Sequence, residues 1–116
     1  MSKKLKISKL LNTIILKNCK TVLFSSIDDI VFIKSDDVYV KVYNPKESEL
    51  VTGSLKEIEK ELPKNFIRSH KSYIINIKMI NEINTTVPGK YCAVMRSGYK
   101  IPVTGKAYKK ILAIFG

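Results

Sequence analysis

The residue types best suited to chemistry gather in Phe66-Ile67-Arg68-Ser69-His70-Lys71-Ser72-Tyr73-Ile74-Ile75-Asn76, where an Arg, the only His and a Lys lie between apolar anchors. β-Branched neighbours hold such a run in place by burial, so its basic side chains turn outward toward an anionic partner, and a phosphate backbone is the commonest such partner. A strand with one solvated face would carry the same order of residues, and the run alone leaves both readings open.

Charge favours the first. The chain has 116 residues, enough for one domain with a single core, and 45% of them are apolar, which excludes a disordered basic tail. The 21 Lys and Arg against 10 Asp and Glu give a net charge of +11, a self-repulsion that a polyanion would relieve. Residues 1–27 contain six lysines and no acid, and residues 62–116 contain ten basic residues against Glu82 alone. The other acids fall between Asp28 and Glu61. A fold that brings the two basic ends to one side presents the positive face of a nucleic-acid binder.

Other chemistries find little support. Cys19 and Cys92 belong to no short motif, and one His leaves too few soft ligands for zinc; both cysteines are expected to be small, reduced core residues of a cytoplasmic protein. A Cys–His catalytic pair with His70 would need a nucleophile signature that neither cysteine has. There is no glycine-rich phosphate loop and no carboxylate pair set opposite a His. Asp28-Asp29 and Asp36-Asp37 read as turn caps between strands before they read as metal or acid pairs. No enzyme activity, cofactor or metal is therefore expected. The lysine-rich start followed by Leu10 to Leu16 is interrupted by Asn12 and Thr13 and lacks a small-residue cleavage site, so a signal peptide is not expected there; no stretch approaches membrane-spanning length.

The elements that must position the basic run are mostly strands. Val38 to Tyr43 alternates cleanly, with valines on one face and Tyr39, Lys41 and Tyr43 on the other. Further strands are expected at 13–18, 21–25, 30–35, 50–52, 66–68, 80–84, 90–95 and 99–103. Ser97-Gly98 suits a two-residue hairpin turn. Ser54-Leu55-Lys56-Glu57 reads as a capping box, with Leu55, Ile58 and Leu62 at helical spacing until Pro63. A second helix follows Thr104, with Tyr108, Ile111, Leu112 and Phe115 as its apolar stripe and Lys106, Lys109 and Lys110 outside it. Residues 1–11 are expected to be a basic leader or linker remnant, and 12–116 the domain.

Four blocks in order resemble a known family. Ile30 to Val40, Leu55 to Pro63, Phe66 to Asn76, and Ile101-Pro102-Val103-Thr104 ahead of a basic helix are together similar to the LytTR DNA-binding domain, over about Leu11 to Phe115. The resemblance implies a mainly β, elongated antiparallel fold of about ten short strands, with one short internal helix and a C-terminal helix. It also implies a sequence-specific regulator of transcription, usually the output half of a bacterial two-component response regulator, whose loops enter successive major grooves. Carried over by position, the first loop is Ser35, Asp36, Asp37 and on to Tyr39; the second is Arg68 to Ser72, with His70 and with Lys71 where Arg is usual. The third is Thr104, Gly105 and Lys106. Gly105 and Lys106 replace two Arg that are frequent there, so either a different base is read at this loop or Lys106 and Lys109 hold mainly phosphate.

Double-stranded DNA, bound by two copies of a free monomer on repeated half-sites and away from any membrane, is thus the expected partner. The alternative is a basic interaction module that binds an acidic protein or an anionic membrane surface without base readout.

Overall fold

The computed structural model describes residues 2–116. Its strands are β1 (Lys4–Ser8), β2 (Thr13–Lys17), β3 (Val22–Ser26), β4 (Phe32–Asp36), β5 (Tyr39–Tyr43), β6 (Ser48–Thr52), β7 (Phe66–His70), β8 (Tyr73–Asn76), β9 (Ile80–Asn84), β10 (Tyr91–Met95) and β11 (Lys100–Val103). Helix α1 (Leu55–Glu61) precedes β7, and α2 (Gly105–Ile114) follows β11. The strands form three antiparallel sheets, ordered β1-β2-β3, β6-β5-β4-β8-β7 and β11-β10-β9. The molecule is elongated, 46 × 30 × 24 Å, and mainly β as expected.

The five-stranded sheet is the middle layer. On one face, Ile33, Val40, Val51, Phe66 and Ile74 pack against Ile14 and Leu16 of β2 and Leu55 and Ile58 of α1. On the other, Phe32 and Ile75 meet Ala93, Met95, Ile101 and Val103 of the third sheet and Ala107 and Ile111 of α2. Alternation along β5 makes this possible: Val40 and Val42 are buried on the first face, while Tyr43 stacks on Phe32 at 4.2 Å on the second. Asn76, wholly buried, ties the layers at the sheet's far end. Its Nδ2 donates to the Ile30 carbonyl at 2.9 Å, and its Oδ1 accepts from the Asn65 amide group at 2.9 Å and the Lys78 N–H at 3.0 Å.

Both expected helices form. The Ser54 hydroxyl accepts from the Glu57 N–H at 3.2 Å and bonds the Glu57 carboxylate at 2.9 Å, while Leu55, Ile58 and Leu62 are buried. Thr104 caps α2 through the Ala107 N–H at 3.1 Å.

Several expectations change. Within the segment read as a leader, Lys4–Ser8 is a strand in full register with β2, because Leu5 and Ile7 pack on the core while Lys4 and Lys6 face out. β8 escapes pattern reading because it is central: Ile74 and Ile75 serve opposite cores, so its sequence does not alternate in polarity. The β10–β11 hairpin closes with three residues, not two. Gly98 donates to the Met95 carbonyl at 2.8 Å and takes φ +95°, a value only glycine adopts freely. On α2 the buried seam is Ala107 and Ile111 with Tyr108 half-buried against Tyr91; Leu112 and Phe115 lie in a last turn that the sheets do not cover. The cysteines are not core residues: Cys19 is exposed in the β2–β3 hairpin and Cys92 is half-buried on β10.

Candidate nucleic-acid interface

Two main-chain hydrogen bonds gather the three expected loops at one end of the central sheet. The Ser35 N–H donates to the Ser72 carbonyl at 2.9 Å, joining the β4–β5 and β7–β8 hairpins. The Thr104 N–H donates to the Ser69 carbonyl at 2.8 Å, seating the start of α2 beside β7. The strand order β5-β4-β8-β7 sets the two hairpin tips side by side, two strand spacings or ~10 Å apart, with the helix start beyond them. The loops thus form a row about 20 Å long, allowing a further ~10 Å for the packed helix.

The middle loop is built to hold a shape. Arg68 and His70 flank a bulge in β7, and Tyr73 pairs with His70, so Lys71 and Ser72 make a two-residue turn. The Arg68 guanidinium donates to the His70 carbonyl at 3.2 Å and the Lys71 carbonyl at 2.6 Å, and meets the Glu59 carboxylate of α1 at 3.4 Å. It props the turn from behind. His70 Nδ1 accepts from the Ser72 N–H at 3.1 Å, which puts the ring hydrogen on Nε2 and leaves that nitrogen as a donor. Two of the expected contact residues therefore position the loop, while Lys71 stands exposed at its tip. Ser69, the bulged residue, is wholly buried, and its hydroxyl has no hydrogen-bond partner among the described residues.

The outer loop is the β4–β5 turn. Asp36 pairs with Tyr39, and Asp37 takes φ +59°, a left-handed value that Asp tolerates better than most residues. Asp36, Asp37 and Tyr39 are exposed, Ser35 is half-buried, and Val38 projects from the tip at 70% exposure. The two acids lie at this turn, and no group of potential metal ligands occurs among the described residues.

On the opposite flank, Arg68, His70, Lys71, Thr104, Lys106 and Lys110 line one open cleft. Lys110 lines this cleft as well, whereas the expected Lys109 is exposed on α2 outside it. Helical spacing explains it: Lys106 and Lys110 are four apart and stack on one face, and that interval is the signal the sequence offers. Lys71, Lys106 and Lys110 have no carboxylate partner among the described residues. A Cβ at Gly105 would meet nothing within 4 Å, so the position has room for a side chain that this sequence omits. Its backbone N–H and that of Lys106 lie in the first turn of α2, without intrahelical partners and at the positive end of the helix dipole.

A row of three fastened loops with lysines facing out suits a long anion better than a small substrate, and related proteins agree. The family model of the LytTr DNA-binding domain matches residues 20–116. The chain is 38% identical over 90 residues to the sensory transduction protein LytT of Bacillus subtilis, covering 74% of this chain and 37% of that protein. It is 34% identical over 99 residues to the LytT protein of Bacillus cereus, covering 82% and 40%. The chain thus spans two fifths or less of the length of these relatives. A solved LytTr DNA-binding domain from Bacillus cereus superposes with a TM-score of 0.78 at 24% identity, over 90% of this chain and 97% of that one, and so shares the fold. With the matched region containing all three loops and the strands that fasten them, this chain belongs to the LytTr DNA-binding domain family.

Proposed function

We propose that the chain binds double-stranded DNA sequence-specifically as the output domain of a bacterial response regulator working in the cytoplasm, with its loops entering the major grooves on either side of one minor groove. The observation that carries this is the row of loops itself. A minor groove is about 6 Å wide, so a row about 20 Å long straddles it and reaches the groove on each side. In the outer loop, Asp36 and Asp37 are acceptors suited to the cytosine amine, and Val38 is suited to a thymine methyl. In the middle loop Lys71 reaches the groove or its border. At the third, Lys106 and Lys110, with the Gly105 amide, hold phosphate, and the absent side chain at Gly105 lets a phosphate approach the helix start. Arg68 and His70 keep Lys71 in place. Residues 12–116, with β1, act as one unit.

One copy reads a short sequence, so two copies on repeated half-sites are the functional form, and a net charge of +11 keeps free copies apart. A competition titration tests the whole. At physiological salt the protein should prefer a duplex selected from a random library over its scrambled counterpart by at least a hundredfold, which is below the usual range for a complete specific site. Sedimentation should show a monomer alone and two proteins on the full site. Equal affinity for both duplexes would instead make this a basic module that binds anionic surfaces without reading bases.

A further inference from the structure

The lysine-rich first sheet carries charge that the three loops do not use, and the fold places part of it in line with them. β6 lies on the side of β5 away from β4, and its Thr52 pairs with Tyr39 beside the outer loop. The chain before β1 is bonded to β6: the Thr52 N–H donates to the Lys3 carbonyl at 2.9 Å, the Lys3 N–H donates to the Leu50 carbonyl at 2.9 Å, and the Ser2 and Thr52 hydroxyls are 3.1 Å apart. Thr52 then shares one surface cleft with Ser2, Lys4, Lys17, Asn18 and Cys19. Lys4 and Lys17 are register partners in β1 and β2, so their side chains leave the same face. Lys20 follows in the β2–β3 hairpin. That hairpin is held by Asn18, whose Oδ1 accepts from the Lys20 and Thr21 N–H groups, both at 2.9 Å.

We infer that Lys4, Lys17 and Lys20 form a second phosphate-binding patch, which grips the DNA backbone on the far side of the groove that the outer loop enters. This rests on the DNA-binding reading above. Counted across β5, β6 and the segment paired to β6, Lys4 lies about two and a half strand spacings past the β4–β5 turn, ~12 Å, which is the width of a major groove, and Lys17 and Lys20 lie beside it on the next strand and hairpin. A loop inserted into that groove therefore brings the lysines to its outer wall. The charge pattern agrees. Lys3 is neutralised by Glu49 at 2.8 Å, whereas Lys4, Lys17 and Lys20 are exposed and have no carboxylate partner among the described residues. The acidic tip of Asp36 and Asp37 lies between this patch and the lysines of the middle loop and α2. Phosphates are drawn to both flanks and repelled from the tip, which steers the tip into the groove between them. The row from Lys106 to Lys4 is then about 30 Å long, close to one turn of the duplex.

The test uses the full chain and a duplex selected by it from a random library. For the Lys4→Ala/Lys17→Ala/Lys20→Ala variant, the slope of log affinity against log salt should fall by about two to three units, at roughly 0.9 for each phosphate left unneutralised. Phosphate ethylation should interfere with binding of the unsubstituted protein at the outer wall of the groove, and that interference alone should vanish in the variant. If slope and interference pattern stay unchanged while Lys106→Ala lowers the slope, the second patch is wrong and the DNA interface stands. If Lys106→Ala and Lys71→Ala also change nothing, the DNA-binding reading itself fails. Ethylation of the unsubstituted complex needs no variant: no interference beyond the groove read by the outer loop overturns the patch even if the triple variant does not fold.

Discussion

Arg68 is expected to act through the turn that it braces, and replacing it separates that role from direct contact with bases. Arg68→Ala removes two hydrogen bonds from a charged donor to the His70 and Lys71 carbonyls and one ion pair with Glu59. Fully buried, each charged bond would contribute about 1.5–3 kcal/mol. Here the Arg68 side chain is 32% exposed and water can reach the freed carbonyls, so together they amount to about 1 kcal/mol. The ion pair, at 3.4 Å with Glu59 41% exposed, adds a few tenths at most. A loss of ~1.4 kcal/mol opens the turn about tenfold more often, and binding that needs the closed turn weakens by the same factor. Amide exchange followed by NMR should show this at the Ser72 N–H, held by His70, and at the Ser35 N–H, held by Ser72, with both exchanging about tenfold faster. Arg68→Lys restores the charge but not the planar fork, so it should not restore slow exchange. If Arg68→Ala leaves both amides protected while the preference for the selected duplex collapses, Arg68 reads the DNA directly and the bracing role is wrong.

Lys71→Ala should weaken binding to the selected duplex more than to scrambled DNA, whereas Lys106→Ala should weaken both alike and lower the salt slope by about 0.9; both sets of titrations need melting curves, which should shift by no more than ~0.5 kcal/mol. Asn76→Leu removes the partners of the buried Ile30 carbonyl and of the part-buried Lys78 N–H, so thermal denaturation should show a loss of about 2–4 kcal/mol, and a change under 1 kcal/mol would mean that the network is dispensable. Ser69→Ala removes a buried hydroxyl that has no partner among the described residues, so it should leave stability unchanged or raise it by up to ~1 kcal/mol, and a lower melting temperature would reveal a partner supplied by ordered water.

What the sequence made legible follows from whether one short-range rule decides a residue's place. Ser54, Thr104 and the valines of β5 obey local rules of capping and alternation, and each is where those rules put it. β8 obeys none, because Ile74 and Ile75 are buried by layers distant in the chain. β1 is hidden for the opposite reason: lysines dominate its appearance, although Leu5 and Ile7 decide its fate. At the interface, the loops are legible through resemblance to the family, but the roles within them are not. That Arg68 faces its own turn depends on Glu59 and on the carbonyls of His70 and Lys71, none of which a residue type announces. Lys110 stays inconspicuous because nothing in its own neighbourhood distinguishes it from Lys109.

The bonds from Ser35 to Ser72 and from Thr104 to Ser69 run between main-chain atoms, and main-chain atoms are the same whatever side chains surround them. Under the proposed DNA-binding role, mutational drift at Asp36, Val38 or Lys71 would therefore alter which bases are preferred, and drift at Gly105 or Lys106 the hold on phosphate, without unfastening the frame that presents them. On that reading, lineages descended from such a domain would acquire new promoters one tip residue at a time, and an engineer who randomises only those tips starts from a frame whose alignment does not depend on their side chains.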